Sequence, residues 1–115
     1  MKTLEECKAG GKSIWTAEVG GYAIHFRRPS AKEWADFEAA QLSVEARKDA
    51  ASFAELQIAA ERLVVLVTES HTPEELQEIN ESLLGIWIPV VGQIVDVVSS
   101  VRAAAGKAPR APGPA

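Results

Sequence analysis

Few residues in this chain are of types that do chemistry, and their spacing argues against most reactions. The histidines are His25 and His71 alone, and neither has a cysteine or acidic partner at metal-ligand spacing. His25 falls on the polar face of a strand and His71 beside a helix start, so both are expected to be solvated structural residues. Cys7 is the single cysteine, which excludes an internal disulfide. Lys8 beside it would lower the thiol pKa slightly, but with no histidine near in sequence it reads as a bystander. Ser30 sits between a strand and a helix, where an acyl-transfer nucleophile could sit, yet it lacks the Gly-x-Ser-x-Gly elbow. Gly10-Gly11-Lys12-Ser13 has the Gly-Lys-Ser end of a phosphate-binding loop without the earlier glycine, and a strand follows where a helix should begin, so it reads as a turn. Glu74, Glu75, Glu78 and Glu81 form a solvated helix face whose first two carboxylates suit the helix dipole. No catalytic, metal or cofactor site is expected, and the chain reads as a non-enzyme.

Arg27-Arg28 has two readings. It is the charged end of an edge strand, discouraging unwanted pairing, or it holds an acidic partner segment or one of the chain's own helices.

The elements that position these residues follow from pattern. Ile14–Val19 and Tyr22–Arg27 flank Gly20-Gly21, a pair suited to the positive φ angles of a tight hairpin. Pairing outward from the turn sets Val19 opposite Tyr22, Ala17 opposite Ile24 and Trp15 opposite Phe26, all on one face. Thr16, Glu18, His25 and Arg27 face the other way. Two strands alone are marginal in water, so helices must cover the Trp15 face. Ser30 and Glu33 make a capping box that opens a helix over about 31–42, with Trp34, Phe37 and Gln41 on one stripe able to lie on the hairpin. A second helix begins near Ser43 and runs over about 45–68, its stripe formed by Phe53, Leu56, Ala60, Leu63 and Val67. Ile58, Val65 and Leu66 widen that stripe until the helix reads as central or shared with another subunit. Thr72-Pro73-Glu74-Glu75 starts a third helix over about 73–84, ended by Gly85. Pro89 opens a fourth over about 89–103, carrying Val90, Ile94, Val97, Val98 and Val101. A short helix at Thr3–Lys8 can precede the hairpin. The expected fold is therefore α+β and mainly helical, an N-terminal β-hairpin packed on about four helices in a single domain over 1–102. The Ala/Pro-rich 103–115 reads as a disordered tail.

At 115 residues and 47% hydrophobic content the chain can bury one core. Its net charge of −4 argues against nucleic-acid binding, which rests on clustered positive charge. Leu83–Val101 raises a membrane question, but Pro89 interrupts the run, and Gln93 and Asp96 fall near its middle, where a carboxylate costs about 3 kcal/mol. No signal-peptide pattern opens the chain, so a cytoplasmic location and no membrane are expected. Ile86-Trp87-Ile88 lies in a short connection, where large side chains are either tucked over the core or offered to a partner. With the two-sided apolar last helix, this suggests an interface on the C-terminal half, including self-association. Trp87, Ile88, Val91 and Val95 are the candidate groove.

The hairpin, the Phe26-Arg27-Arg28-Pro29-Ser30 passage, the Trp34/Phe37 helix, the Thr72-Pro73-Glu74-Glu75 helix and the apolar last helix broken at Pro89 together resemble tail assembly chaperones of long-tailed bacteriophages, over roughly residues 13–100. The resemblance implies a protein that coats the helical tape measure protein in the cytoplasm of the bacterial host, keeps it soluble and helps recruit tail tube subunits. It would not be expected in the mature virion. In such systems a frameshift often adds a second domain, for which the tail would suit as linker. A different class, a dimeric helical adaptor such as a secretion-type chaperone or antitoxin-like binder, joins a hairpin to amphipathic helices in the same way.

Overall fold

The structure is a computed structural model that describes residues 1–107, with side chains described through residue 104. Its elements are α1 (Leu4–Cys7), β1 (Ile14–Val19), β2 (Tyr22–Arg27), α2 (Ala31–Arg47), α3 (Ala50–Val67), α4 (Pro73–Ser82) and α5 (Trp87–Lys107). The α+β, mainly helical architecture is the one the sequence implies.

The hairpin has the expected strands and register, Val19 opposite Tyr22, Ala17 opposite Ile24 and Trp15 opposite Phe26. Gly20 and Gly21 take φ of 56° and 84°, the left-handed geometry that closes a two-residue turn. Trp15 stacks on Phe26 with ring centroids 6.4 Å apart. Ala17, Ile24 and Phe26 are fully buried.

Both outer edges of this two-stranded sheet receive partners. Beyond β2, Thr68 bridges to Phe26, and the Glu69 amide donates to the His25 carbonyl at 2.8 Å. Beyond β1, the Gln93 side chain on α5 behaves as a one-residue strand. Its amide nitrogen donates to the Glu18 carbonyl at 3.0 Å and its oxygen accepts from the Glu18 amide at 3.1 Å. Such capping removes exposed donors and acceptors that would otherwise invite strand pairing.

Besides α4 ending at Ser82, two residues short of the expected 84, the helices depart from expectation in four places. First, α2 runs through Ser43 to Arg47, because the real punctuation is Lys48 at φ 51° followed by Asp49, whose carboxylate accepts from the Ser52 amide and caps α3. Second, Trp34 and Phe37 do not chiefly meet the hairpin. Phe37 packs beside Ala59 and Leu63 of α3, and Trp34 faces Val98 and Arg102 of α5. The main helix on the hairpin face is α5. Third, α5 begins two residues before Pro89, which lies in its first turn, where a missing N–H costs nothing. Fourth, α5 continues through 103–107, assigned above to a disordered tail, since Ala103-Ala104-Ala105 favours helix. The rest of that tail expectation lies outside the described residues.

The core joins Ile24 and Phe26 to Ala60, Leu63, Val64 and Val67 of α3, Leu76 and Ile79 of α4, and Val90, Ile94 and Val98 of α5. Phe53, expected to head the α3 stripe, is 53% exposed because the first turns of α3 extend past this core; in them only Ser52 is buried. Among the described residues α5 is the one helix long and apolar enough to cross a bilayer by length and composition, but its apolar stripe packs on α3 and β1.

Candidate functional site

Arg27 and Arg28 are adjacent yet do different things. The Arg27 guanidinium donates two parallel bonds to the Glu33 carboxylate, each 2.8 Å, and a third to the Leu66 carbonyl at 3.0 Å. One side chain thereby ties the end of β2 to the start of α2 and the end of α3. Glu33 also accepts from the Ser30 amide at 2.8 Å, completing the capping box. Hydrogen bonds from Arg27, reinforced by those from Ser30 and by the Arg27 charge, pull the Glu33 pKa down from 4.5 to about 2. Of the two readings of the pair, Arg27 fits the one in which it holds the chain's own helix.

Arg28 is exposed, and among the described residues no carboxylate lies within ion-pair distance of it. It stands where two surface depressions meet. One, about 350 Å³, is floored by Pro29, Trp34, Val98 and Val101 and flanked by Arg102. The other, about 530 Å³, runs past Lys12, Ser13 and Trp15 to Glu69. A third, about 330 Å³, lies between Trp15 and the α5 residues Asp96, Val97, Ser100 and Val101. Because Arg28, Trp15 and Val101 are each shared between two of the three, they form one continuous surface. It is apolar in its floor, with two tryptophans, and its rim carries Lys12, Arg28 and Arg102 together with the acids Glu69 and Asp96. Arg102 leans over the Trp34 ring at 5.8 Å from the centroid, a cation–π contact, and reaches Glu38 at 3.6 Å.

The four apolar candidates on the last helix separate. Trp87 and Val91 are buried at 9% and 6% exposure and, unlike the equally buried Trp34 and Val98, line none of these three depressions. Ile88 is 45% exposed and Val95 is half-buried. At seven-residue spacing the latter two share a side of α5, away from the side formed by Asp96, Val97 and Ser100 that faces Trp15. Neither lines any of the three depressions, so the structure does not bring Ile88 and Val95 into the surface around Arg28. The residues it does bring to Arg28 are Trp15, Trp34, Val98, Val101 and Arg102. The signal available for them was the α5 stripe beside a tryptophan-bearing strand.

The remaining polar groups are structural in their surroundings. His71, expected to be solvated, is buried, and so is Ser70, with Ser70 Oγ 2.6 Å from His71 Nδ1. The same hydroxyl accepts from the His25 amide at 2.8 Å, so this serine and histidine pin the segment after α3 to β2. Burial lowers the His71 pKa below its ordinary value. With the His25 amide donating to the serine oxygen, the hydroxyl proton is best directed at His71 Nδ1, which fits a neutral ring. His25 bonds Thr16 Oγ1 at 2.8 Å across the hairpin. Cys7 is buried, and burial raises its pKa, outweighing the lowering by the charges of Lys2 and Lys12 rather than of the adjacent Lys8. Among the described residues no three His, Cys, Asp or Glu side chains converge to hold a metal ion.

No family model, curated protein or solved structure matches this chain.

Proposed function

We propose that this chain is a non-enzymatic assembly chaperone of the kind found for tails of long-tailed bacteriophages. It binds the tape measure protein in the cytoplasm of the host, keeps it soluble and helps recruit tail tube subunits, without entering the mature virion. The observation that supports this reading is the continuous surface around Trp15, Arg28 and Val101. An elongated partner whose helices expose apolar stripes aggregates unless those stripes are covered, and an apolar surface with a charged rim suits that task. The test is co-expression with the tape measure protein of the same genome, followed by pull-down and a count of chains per complex. Soluble tape measure protein carrying many copies of this chain is the expected result. Val101→Asp, on the surface and outside the core, should reduce that recovery severalfold. Absence of any complex with the wild-type chain would overturn the proposal.

A second reading, the dimeric adaptor, is favoured by one feature. Leu42, Phe53 and Ile58 are each more than half exposed on the two helices α2 and α3. Light scattering on the purified chain separates the two readings: a stable closed dimer that ignores the tape measure protein favours the adaptor.

A further inference from the structure

We infer that the surface depression between Arg28 and Arg102 is a receptor for a partner segment that presents a carboxylate beside large apolar side chains. This rests on the binding reading above and specifies the chemistry of the bound segment. The chain as a whole is acidic, with net charge −4, yet among the described residues no carboxylate lines this depression and two arginines do. Local charge opposite to the global charge is not required for solubility. Arg27, one residue away, marks the contrast, because its charge is consumed by Glu33 in a bidentate pair. Arg28 has no such partner among the described residues, and Arg102 has only a 3.6 Å approach to Glu38.

The floor defines the rest of the ligand. Pro29, Trp34 and Val98 are buried there, and Val101 is half-buried, so a leucine-sized or aromatic side chain finds apolar contact while a neighbouring carboxylate reaches either guanidinium. The volume of about 350 Å³ accommodates a few side chains of a helix turn, not a whole domain. Two arginines over an apolar floor are a poor match for a nucleic-acid backbone, which needs an extended basic track. They match an acidic amphipathic helix, whose charge steers encounter and whose apolar face supplies affinity.

The test uses two fluorescent synthetic amphipathic peptides of about 18 residues, five turns, with the same leucine face and either glutamate or lysine on its flanks. Fluorescence anisotropy against the full chain should show the glutamate peptide binding at least about tenfold more tightly at low salt, with the preference shrinking as salt is added. Arg28→Glu, which disturbs no internal pair, should abolish or invert that preference, and Arg102→Glu should act in the same direction. Equal binding of both peptides, a preference unaffected by Arg28→Glu, or tighter binding of a single-stranded oligonucleotide than of the glutamate peptide would overturn the inference. The outcome is distinguishable from that of the chaperone reading. Tape measure protein captured equally well by wild type and Arg28→Glu sinks only the inference, whereas a peptide preference without tape measure capture sinks only the chaperone.

Discussion

Replacing Glu33 by glutamine removes one negative charge from the point where β2, α2 and α3 are held together. Glutamine retains an oxygen for the Ser30 amide, so the capping box survives and the change isolates the charge. A pKa lowered from 4.5 to about 2 corresponds to about 3 kcal/mol at most. The Arg27 and Glu33 side chains are 34% and 18% accessible, so solvent screening reduces this to about 1–2 kcal/mol. At neutral pH, Glu33→Gln should therefore lower Tm by about 5–10 °C. The pH dependence carries the sharper test. Folding depresses this pKa, so the stabilisation is fully present above about pH 4.5 and disappears as pH falls towards about 2. Urea unfolding of both proteins between pH 7 and pH 3 should show the gap shrinking by more than half. Glu75 and Asp49 also have lowered pKa values, but they do so in both proteins and cancel in the difference. A gap that is absent at pH 7, or equally large at pH 3, would refute the argument.

Other perturbations read different parts of the fold. Lys48→Gly should stabilise the chain by about 0.5–1 kcal/mol in chemical denaturation, because Lys48 holds φ 51° at the end of α2, where glycine is unstrained. Gly20→Ala should destabilise by about 2 kcal/mol, since its φ is 56° and an added Cβ would collide with the Leu83 side chain. His71 predicts a loss of stability in mild acid. Burial lowers its native pKa, so the unfolded chain takes up the proton first, and Tm should begin to fall below about pH 6.5 and do so less in His71→Gln.

What could be read in advance depended on whether a single local rule decided the matter. The hairpin is such a case: Gly20-Gly21 fixes the turn, alternation fixes the face, and the register follows without knowledge of anything else. So are the starts of α2 and α4, where Ser30 with Glu33 and Thr72 with Glu75 bond reciprocally. The α2–α3 break is ambiguous in the sequence because Ser43 and Asp49 both carry capping side chains. Only Asp49 is followed three residues on by a serine that answers it, with Ser52 Oγ accepting from the Asp49 amide at 3.3 Å. His71 was misjudged for a tertiary reason. Nothing in its neighbours signals burial, which arises only because the segment after α3 closes the open edge of β2.

The site was harder to read because α5 bears valine or isoleucine on most of its circumference. An amphipathic helix announces its outer side by polarity, and Gly92, Asp96, Ser99 and Ser100 do so here, but the core side and the hairpin side are both apolar, and by pattern alone Ile88 and Val95 are as eligible as Val97 and Val101. The informative residues are the few polar ones. Gln93 marks the side that meets the β1 edge, Asp96 the mouth of the depression beside Trp15, and Arg102 the rim over Trp34. Gln93 and Asp96, which argue from sequence against a bilayer, thus also fix the rotation of α5. That rotation sets Val101 between two depressions, next to the one arginine of the Arg27-Arg28 pair that has no carboxylate partner among the described residues. Charge and apolar surface meet at that point, and the binding reading concentrates there rather than at Trp87, which lines none of the three depressions.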